Sequence, residues 1–378
     1  MTGQLSILAP TRYPWTFNGP RASRHRIERR PFVPLNRIDA RREGVTAFSP
    51  WPPRRFDLLH AFNRIPLGRT PFIIGFESHL PRGFGMEGGA WWRWMHGMLA
   101  SPRCRGIVAI SDFARNIFLQ QTGGDPALSG KLHRRYPNLV LPEIADVVAG
   151  APVLPFRLVF VGNHFARKGG CVAVKLAEKA RQRGLALQLD IVSRLEMGGG
   201  IWTDPDDPAA FAPYRALLAQ PNVVVHRDLP NNAVLDLLRS AHLSLLPTFG
   251  DTFGYSAIES MANHTPVIAT RQAALPELIR HGEDGILLDL PVTPLGEWIH
   301  LGAPDRGQAR FVAAWHAEID RLAEQAFTHI AALANDPRQL AAMRQAARAR
   351  AAVFSAADAT AWWDDFYVRA ADGVVASF

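Results

Sequence analysis

Between residues 158 and 282 the chain alternates short apolar runs with stretches of helical spacing, and this alternation constrains the fold more than any other feature. LVFVG (158–162), LQLDIVS (187–193), NVVVH (222–226), LSLLP (243–247) and PVIAT (266–270) read as strands. CVAVKLAEKARQR (171–183), NAVLDLLRSA (232–241), GYSAIESMA (254–262) and LPELIRHG (275–282) read as helices. In the first of these Val172, Leu176, Ala177 and Ala180 form one stripe, and Gly184 stands where a C-terminal cap is expected. Apolar runs without polar alternation suit strands buried on both faces, so the succession implies a doubly wound α/β arrangement on a parallel sheet. Ligands of such sheets bind at the carboxyl ends of the strands.

The 378 residues are enough for two domains with a core each. Residues 9–55 are rich in Pro and Arg and read as extended or irregular backbone around short elements. PFIIGFES (71–78) and RGIVAIS (105–111) again look like buried strands, the second leading into the helix DFARNIFLQQ (112–121) with Asp112 as cap or first-turn acid. Prolines at 137, 142, 152 and 155 break both periodicities and mark 136–156 as a linker. The tail from 308 to 371 is helical, with interruptions at Asp336-Pro337 and near Ser355.

The net charge of +8 is unevenly placed: residues 1–140 hold 21 Lys+Arg against 8 Asp+Glu, and the remainder is slightly acidic. A basic surface suits nucleic acid, an anionic membrane or phosphorylated small molecules. No zinc-finger spacing or RNA-recognition motif is present, so nucleic acid is not the expected partner. Two cysteines, Cys104 and Cys171, exclude a four-cysteine zinc site and argue against a disulfide framework. The N-terminus lacks a charged leader region, and no run of about 18 apolar residues occurs. The expectation is a cytoplasmic protein, with its basic half suited to peripheral attachment at the inner face of a membrane.

The stretch 243–288 carries the most chemistry. Asp251 lies eight positions before Glu259, with Phe253-Gly254-Tyr255 at the loop-to-helix junction between them. Backbone amides at that helix start, near Tyr255 and Ser256, would hold a phosphate through unpaired donors and the helix dipole. Glu259, just over one turn in, would accept from ribose hydroxyls, and Asp251 would meet a sugar. The blander reading makes these a loop acid and a solvated helical glutamate. After the strand 158–162, Gly162 to Gly169 place Lys168 in a glycine-flanked loop that opens a helix, where a departing diphosphate would need positive charge.

This pattern resembles the donor site of glycosyltransferase family 4, retaining nucleotide-sugar transferases of the GT-B fold, across about 158–290. The matching parts are Asp251, Glu259, Ser260-Met261-Ala262, Pro266-Val267 and Pro276-Glu277, with Gly282 and Gly285 trailing. The resemblance implies two Rossmann-like doubly wound domains facing a central cleft: 1–150 for the acceptor and 151–355 for the nucleotide sugar, with a helix at 356–378 crossing back. It assigns Lys168 to the diphosphate. Three positions depart from the family pattern: Asp251 replaces a glutamate, His264 a glycine, and Asn163 the usual arginine, which leaves Arg167 as the nearest second cation. Ser193 and the 227–230 loop border the donor, the latter at its base.

The first half would then hold the acceptor. Glu77 and His79 end the strand 71–78; His79 would assist proton transfer or bind an acceptor hydroxyl, although a lone histidine is as often a satisfied polar residue. Ser111, in the segment resembling the family's Val-Ser, reads as a helix cap or a substrate contact. Gly19 falls where the family has a glycine-rich loop. GGAWWRWMHGMLA (88–100) carries Trp91, Trp92 and Trp94 as either a surface for a membrane, lipid-linked acceptor or sugar, or a buried interface. Trp362-Trp363 and Phe366-Tyr367 read as anchors of the crossing helix.

Together these readings describe a hexosyltransferase that needs no metal or cofactor beyond its nucleoside diphosphate sugar, and the resemblance implies that it is retaining. It would act on a glycan or lipid-linked acceptor in polysaccharide or glycolipid synthesis. A noncatalytic nucleotide-sugar or glycan-binding protein on the same fold is the alternative, supported by the Asp251 and Asn163 departures.

Overall fold

The computed structural model describes residues 3–11, 15–33, 35–49, 54–143 and 154–373. The chain divides into two compact units, Met1–Val140 with Phe354–Phe378, and Leu141–Val353. Of the segment 136–156, residues 144–153 lie outside the described ones.

The strands of the first unit are, among the described residues, β1 (Ser6–Pro10), β2 (Arg26–Arg30), β3 (Phe32–Val33), β4 (Val45–Phe48), β5 (Leu58–Phe62), β6 (Ile65–Pro66), β7 (Phe72–Phe76), β8 (Cys104–Ala109) and β9 (Leu132–Arg134). Six form a parallel sheet in the order β2-β1-β5-β7-β8-β9, and β3-β4-β6 form a small second one. Consecutive strand residues face opposite sides, and here both sides are covered. Leu59, Ile74, Phe76 and Ile107 pack with Met95 and Leu99 of the helix Ala90–Ala100 and with Ala114 and Phe118 of the helix Asp112–Gln121. Ile7, Leu58, Ile73 and Val108 pack instead under Trp363, Phe366 and Tyr367 of the last helix, Ala356–Asp372. That helix passes so close over β8 that a Cβ on Gly106 would stand 2.6 Å from the Phe366 ring.

Part of the expected linker is ordered within this unit. Asn138 is buried, and Leu139 donates its N–H to the Phe354 carbonyl, 2.9 Å. Ser111 caps the helix Asp112–Gln121 by accepting from the Ala114 N–H, and Asp112 sits in its first turn. On the helix Ala90–Ala100, Trp91 and Trp94 stack at 4.6 Å with Trp94 facing solvent, while Trp92 lies against Gly83.

The second unit holds β10 (Phe156–Val161), β11 (Leu187–Val192), β12 (Val223–His226), β13 (Leu243–Leu246), β14 (Val267–Thr270) and β15 (Gly285–Leu288). They form a parallel sheet in the order β12-β11-β10-β13-β14-β15. This is the doubly wound order in which the chain leaves β10 to one side and returns to β13 on the other. The helix Gly170–Gln182 buries Val172, Leu176, Ala177 and Ala180 in a core shared with Trp315, Ile319 and Leu322 of the long helix Ala309–Asn335. Asp336 caps the next helix, Pro337–Ala351, so the Asp-Pro pair ends one helix and starts another.

Candidate active site

In the second sheet the strand order reverses between β10 and β13, and the loops that leave these neighbouring strands, 162–169 and 247–254, meet at the carboxyl edge. Gly169 makes the meeting possible. It has φ +90°, and a Cβ there would lie 2.2 Å from the Pro247 carbonyl oxygen. Gly162 likewise lets the Lys168 stem lie against the backbone, with 3.1 Å from an added Cβ to Lys168 Cβ and Cγ.

Thr248, fully buried, ties the loops together. Its hydroxyl donates to the Arg167 carbonyl at 2.8 Å and accepts from the Gly250 N–H at 3.1 Å, and its own carbonyl accepts from the Thr270 hydroxyl at 2.6 Å. Arg167 in turn donates through Nη1 to the Gly250 carbonyl, 2.9 Å. Lys168 Nζ and Asp251 Oδ2 form an ion pair within this frame, with side chains 20% and 9% exposed. Burial pushes the Asp251 carboxyl up, but the Lys168 charge and hydrogen bond outweigh it. With help from the Arg167 charge and the Phe253 amide, they hold the carboxyl below its ordinary value. The structure thus joins two residues read separately in the sequence.

Beyond Asp251 the helix Tyr255–Ala262 begins on Gly254, at φ +94°, without a side-chain cap. Leu275 stands 2.7 Å from where a Gly254 Cβ would be, so the helix start is packed as well as turned. Tyr255, Ser256 and Glu259 are half-buried along its first turns. Phe253 is fully buried with its ring 5.2 Å from that of Tyr255, so at this position only the backbone amide, which donates to Asp251 Oδ1, faces the site. Ser193 is also buried. Its hydroxyl accepts from the Leu195 N–H at 2.9 Å and donates to the Asn163 carbonyl at 3.4 Å, which makes it a brace of the 162–169 loop rather than a surface for a ligand. The Asn163 side chain is exposed, and beside it His164 Nδ1 lies 3.1 Å from Glu196 Oε2. His264, at φ +59°, is buried in the turn before β14, a structural position.

Behind the loops lies a residue that sequence reasoning missed. Asp204 is fully buried, accepting from the Gly198 N–H at 3.0 Å and the Thr203 hydroxyl at 2.9 Å. Burial lifts its pKa to about 6, against those two hydrogen bonds and the charges of Arg167 and Arg306. Neither Asp204 nor Thr248 stands in a motif, so neither carries a signal in one sequence.

In the first unit Glu77 and His79 follow β7. Glu77 accepts from Asn63 Nδ2 at 2.9 Å and from Arg82 Nη2 at 2.7 Å, and Arg82 also faces Glu43, itself held by Arg64 at 2.7 Å. Asn63 takes φ +59° to make that contact and accepts the Glu77 N–H in return. His79 is half-buried with its ring 5.6 Å from Phe84; burial, then the Arg82 charge, lower its pKa against the pull of Glu87. Gly19 is buried, its carbonyl accepting from Asn138 Nδ2 at 3.0 Å. Among the described residues no group of three His, Cys, Asp or Glu is placed to hold a metal ion, and no helix is long and apolar enough to cross a membrane.

These two parallel sheets, with the last helix returned to the first unit, define the GT-B fold of glycosyltransferases, which recurs in solved structures at low identity. The glycosyltransferase from Rickettsia africae ESF-5 superposes with a TM-score of 0.61 and 11% identity, covering 98% of this chain and 99% of that one. Anabaena HepE, solved in complex with UDP-glucose, gives 0.59 and 12% over 96% and 99%. Residues 155–293, within the second unit, match the family described as Glycosyl transferases group 1. Curated relatives include the D-inositol 3-phosphate glycosyltransferases of Acidothermus cellulolyticus, 29% identical over 142 residues, and of Pseudarthrobacter chlorophenolicus, 32% over 134. The matches take in 37% and 35% of this chain, and the chain spans 31% of the length of each relative.

Proposed function

We propose that the protein is a glycosyltransferase that moves a hexose-like unit from a nucleoside diphosphate sugar to an acceptor hydroxyl, with retention of configuration. The observation that carries the reading is the Lys168–Asp251 pair at the strand-order reversal, between a glycine-cleared loop and an uncapped helix start. A diphosphate arriving there would draw Lys168 partly from Asp251, with Arg167 and the amides near Tyr255 and Ser256 supplying further positive potential. Asp251, released from one partner, would then accept a hydroxyl of the donor sugar, and Glu259 would hold the ribose. Since Lys168, Arg167 and the amides furnish the charge, no metal is assigned to the reaction.

On the acceptor side, His79 would take the hydroxyl proton, its lowered pKa keeping the imidazole neutral near pH 7. Glu77, already engaged by Asn63 and Arg82, would position acceptor hydroxyls, and Gly19 would line the same subsite. The basic first half supports an anionic, lipid-linked or phosphorylated acceptor, a cytoplasmic enzyme working at the inner membrane face, and a place in polysaccharide or glycolipid synthesis.

Incubation with a panel of nucleotide sugars, scored by nucleotide release and by binding, tests the reading. Turnover with one donor that falls at least about a hundredfold in Lys168→Ala and weakens in Glu259→Ala is expected. Affinity without turnover would make the chain a binding protein, and unchanged nucleotide affinity in both variants would overturn the site.

A further inference from the structure

On the helix Ala90–Ala100 of the first unit the exposed positions are Ala90, Arg93, Trp94 and Gly97, spaced i, i+3, i+4 and i+7. Met95 and Leu99 lie in the core, so this stripe is the solvent face of the helix. It carries no acid, one cation and one large ring, where a surface helix ordinarily presents mixed charge. The ring is held in place. Trp94 stacks on Trp91 at 4.6 Å and 18°, and Lys131 Nζ fastens the far end of the helix by donating to the Leu99, Ala100 and Ser101 carbonyls at 3.1, 2.8 and 2.7 Å.

Neighbouring segments extend this face. Trp91 packs on the core and donates its indole N–H to the Arg41 carbonyl at 2.9 Å, which docks the turn Ala40–Arg42 beside the helix. The Arg42 N–H donates to the Asp39 carbonyl at 2.9 Å and the Asp39 N–H to the Leu35 carbonyl at 3.1 Å, so the turn Leu35–Arg37 follows; Leu35 packs inward and Ile38 stays outside. Gly83 lies against the helix, since a Cβ there would stand 2.9 Å from Trp92 and 3.2 Å from Met95, and Phe84 comes next to it. Ile38, Phe84 and Trp94 are 74%, 47% and 43% exposed. Arg37, Arg41, Arg42 and Arg93 are exposed on the same segments. Against these four stand Asp39, which pairs with Arg41 at 3.0 Å, and Glu87, while Glu43 is matched by Arg64 at 2.7 Å. Positive charge prevails around the apolar groups.

We propose that this face docks on an anionic lipid bilayer, with Ile38, Phe84 and Trp94 entering the headgroup layer and the four arginines meeting lipid phosphates. Exposed apolar side chains accompanied by guanidinium groups match a surface that is apolar beneath a layer of phosphates, and an indole, apolar in body and polar at one edge, belongs at that level. A ring already fixed by stacking loses little further freedom on docking. His79, its ring 5.6 Å from that of Phe84, would then stand beside the bilayer, where a lipid-linked acceptor arrives. The proposal rests on the membrane part of the functional reading for its occupant and names the surface that part lacks; donor binding and Lys168 do not enter it.

Flotation of the full chain with vesicles of phosphatidylcholine, alone and mixed with phosphatidylglycerol, tests it, alongside the oligomeric state without lipid. Binding that needs phosphatidylglycerol is expected. Ile38→Ser combined with Trp94→Ser should weaken it about tenfold or more, as should Arg93→Glu. Ile38→Ser alone should also weaken it, and at so exposed a position it keeps the test valid if loss of the Trp91 stack disturbs the helix. Arg115→Glu, exposed on the helix Asp112–Gln121, should matter much less. Equal losses in Arg115→Glu and Arg93→Glu would mean that the whole basic half attracts the membrane; this overturns the docking face and leaves membrane attachment standing. Absence of vesicle binding overturns both, and nucleotide release from a sugar donor is read independently of either. Equal binding without phosphatidylglycerol, binding that the apolar variants leave intact, or a dimer that Trp94→Ser dissociates, would also overturn the proposal.

Discussion

Gly169 and Pro247 approach so closely that a Cβ on the glycine would stand 2.2 Å from the proline carbonyl oxygen. This contact brings together loops that leave two adjacent strands, and it sets where Lys168 can reach Asp251. Gly169→Ala would incur both the clash and the positive φ, a cost of about 1–3 kcal/mol or more. Gly184, at φ +74° with nothing within 4 Å of an added Cβ, isolates the backbone part. Thermal unfolding of the two variants should show the larger loss in Gly169→Ala. Nucleotide affinity should fall in that variant alone; equal effects would mean that the loop contact does not set the site.

The two partners of the Lys168–Asp251 pair are not equivalent on removal. Lys168 keeps 20% of its side chain exposed and can turn to water, whereas Asp251 keeps 9%. Lys168→Met therefore strands a buried carboxylate, at about 3–5 kcal/mol near neutral pH, and Asp251→Asn costs less. In wild type the depressed Asp251 pKa contributes stability present above the ordinary value of 3.8 and lost only as pH falls through the lower folded value. In Lys168→Met burial acts with less opposition and the pKa rises, so the deficit should shrink between pH 7 and pH 5. Unfolding curves at the two pH values check this, and a deficit independent of pH would sink it.

His60, on β5, is fully buried, with Nδ1 2.8 Å from the Tyr367 hydroxyl and its ring 4.5 Å from Trp363. Burial lowers its pKa to about 3. A depressed histidine contributes stability that is complete above the unfolded value of 6.5 and is lost as pH falls toward about 3, because the unfolded chain takes up the proton first. Wild type should thus lose stability over that window more steeply than His60→Gln, which cannot titrate. Parallel slopes in melts from pH 7 to pH 4 would refute the assignment.

Asn138 anchors the loop that carries Gly19. Its Nδ2 donates to the Phe17 and Gly19 carbonyls, each at 3.0 Å, and its Oδ1 accepts from Arg21 Nε at 3.2 Å. Asn138→Ala should destabilise the protein by about 1–3 kcal/mol through buried groups left without partners. It should also speed proteolysis near residue 19, a site that a merely global loss of stability would not single out.

How much was legible from residue order follows from where the physical signal lies. β7, β8, β10, β11, β13 and β14 are buried on both faces, so they read directly as apolar runs. β2, RIERR at the sheet edge, and the three-residue β9 are polar or short, and only their pairing makes them strands. Lys168, Asp251 and Glu259 stood out because they follow strands or open a helix, while Phe253 looked available in sequence and is buried in the structure.

Local residue order by itself determined the strand and helix succession of the second half, hence a parallel sheet with Lys168 and Asp251 in loops at its carboxyl edge, and the concentration of positive charge in the first half. Tertiary structure decided the partnerships. Lys168 and Asp251 lie 83 positions apart, Arg24 meets Asp365 across most of the chain, and Asp204 owes its raised pKa to burial behind a loop it does not adjoin in sequence. Periodicity is a property of neighbours along the chain, and so a sequence displays it. Ion pairing and burial depend on which strands lie side by side, and strand order becomes visible only when the sheets are assembled.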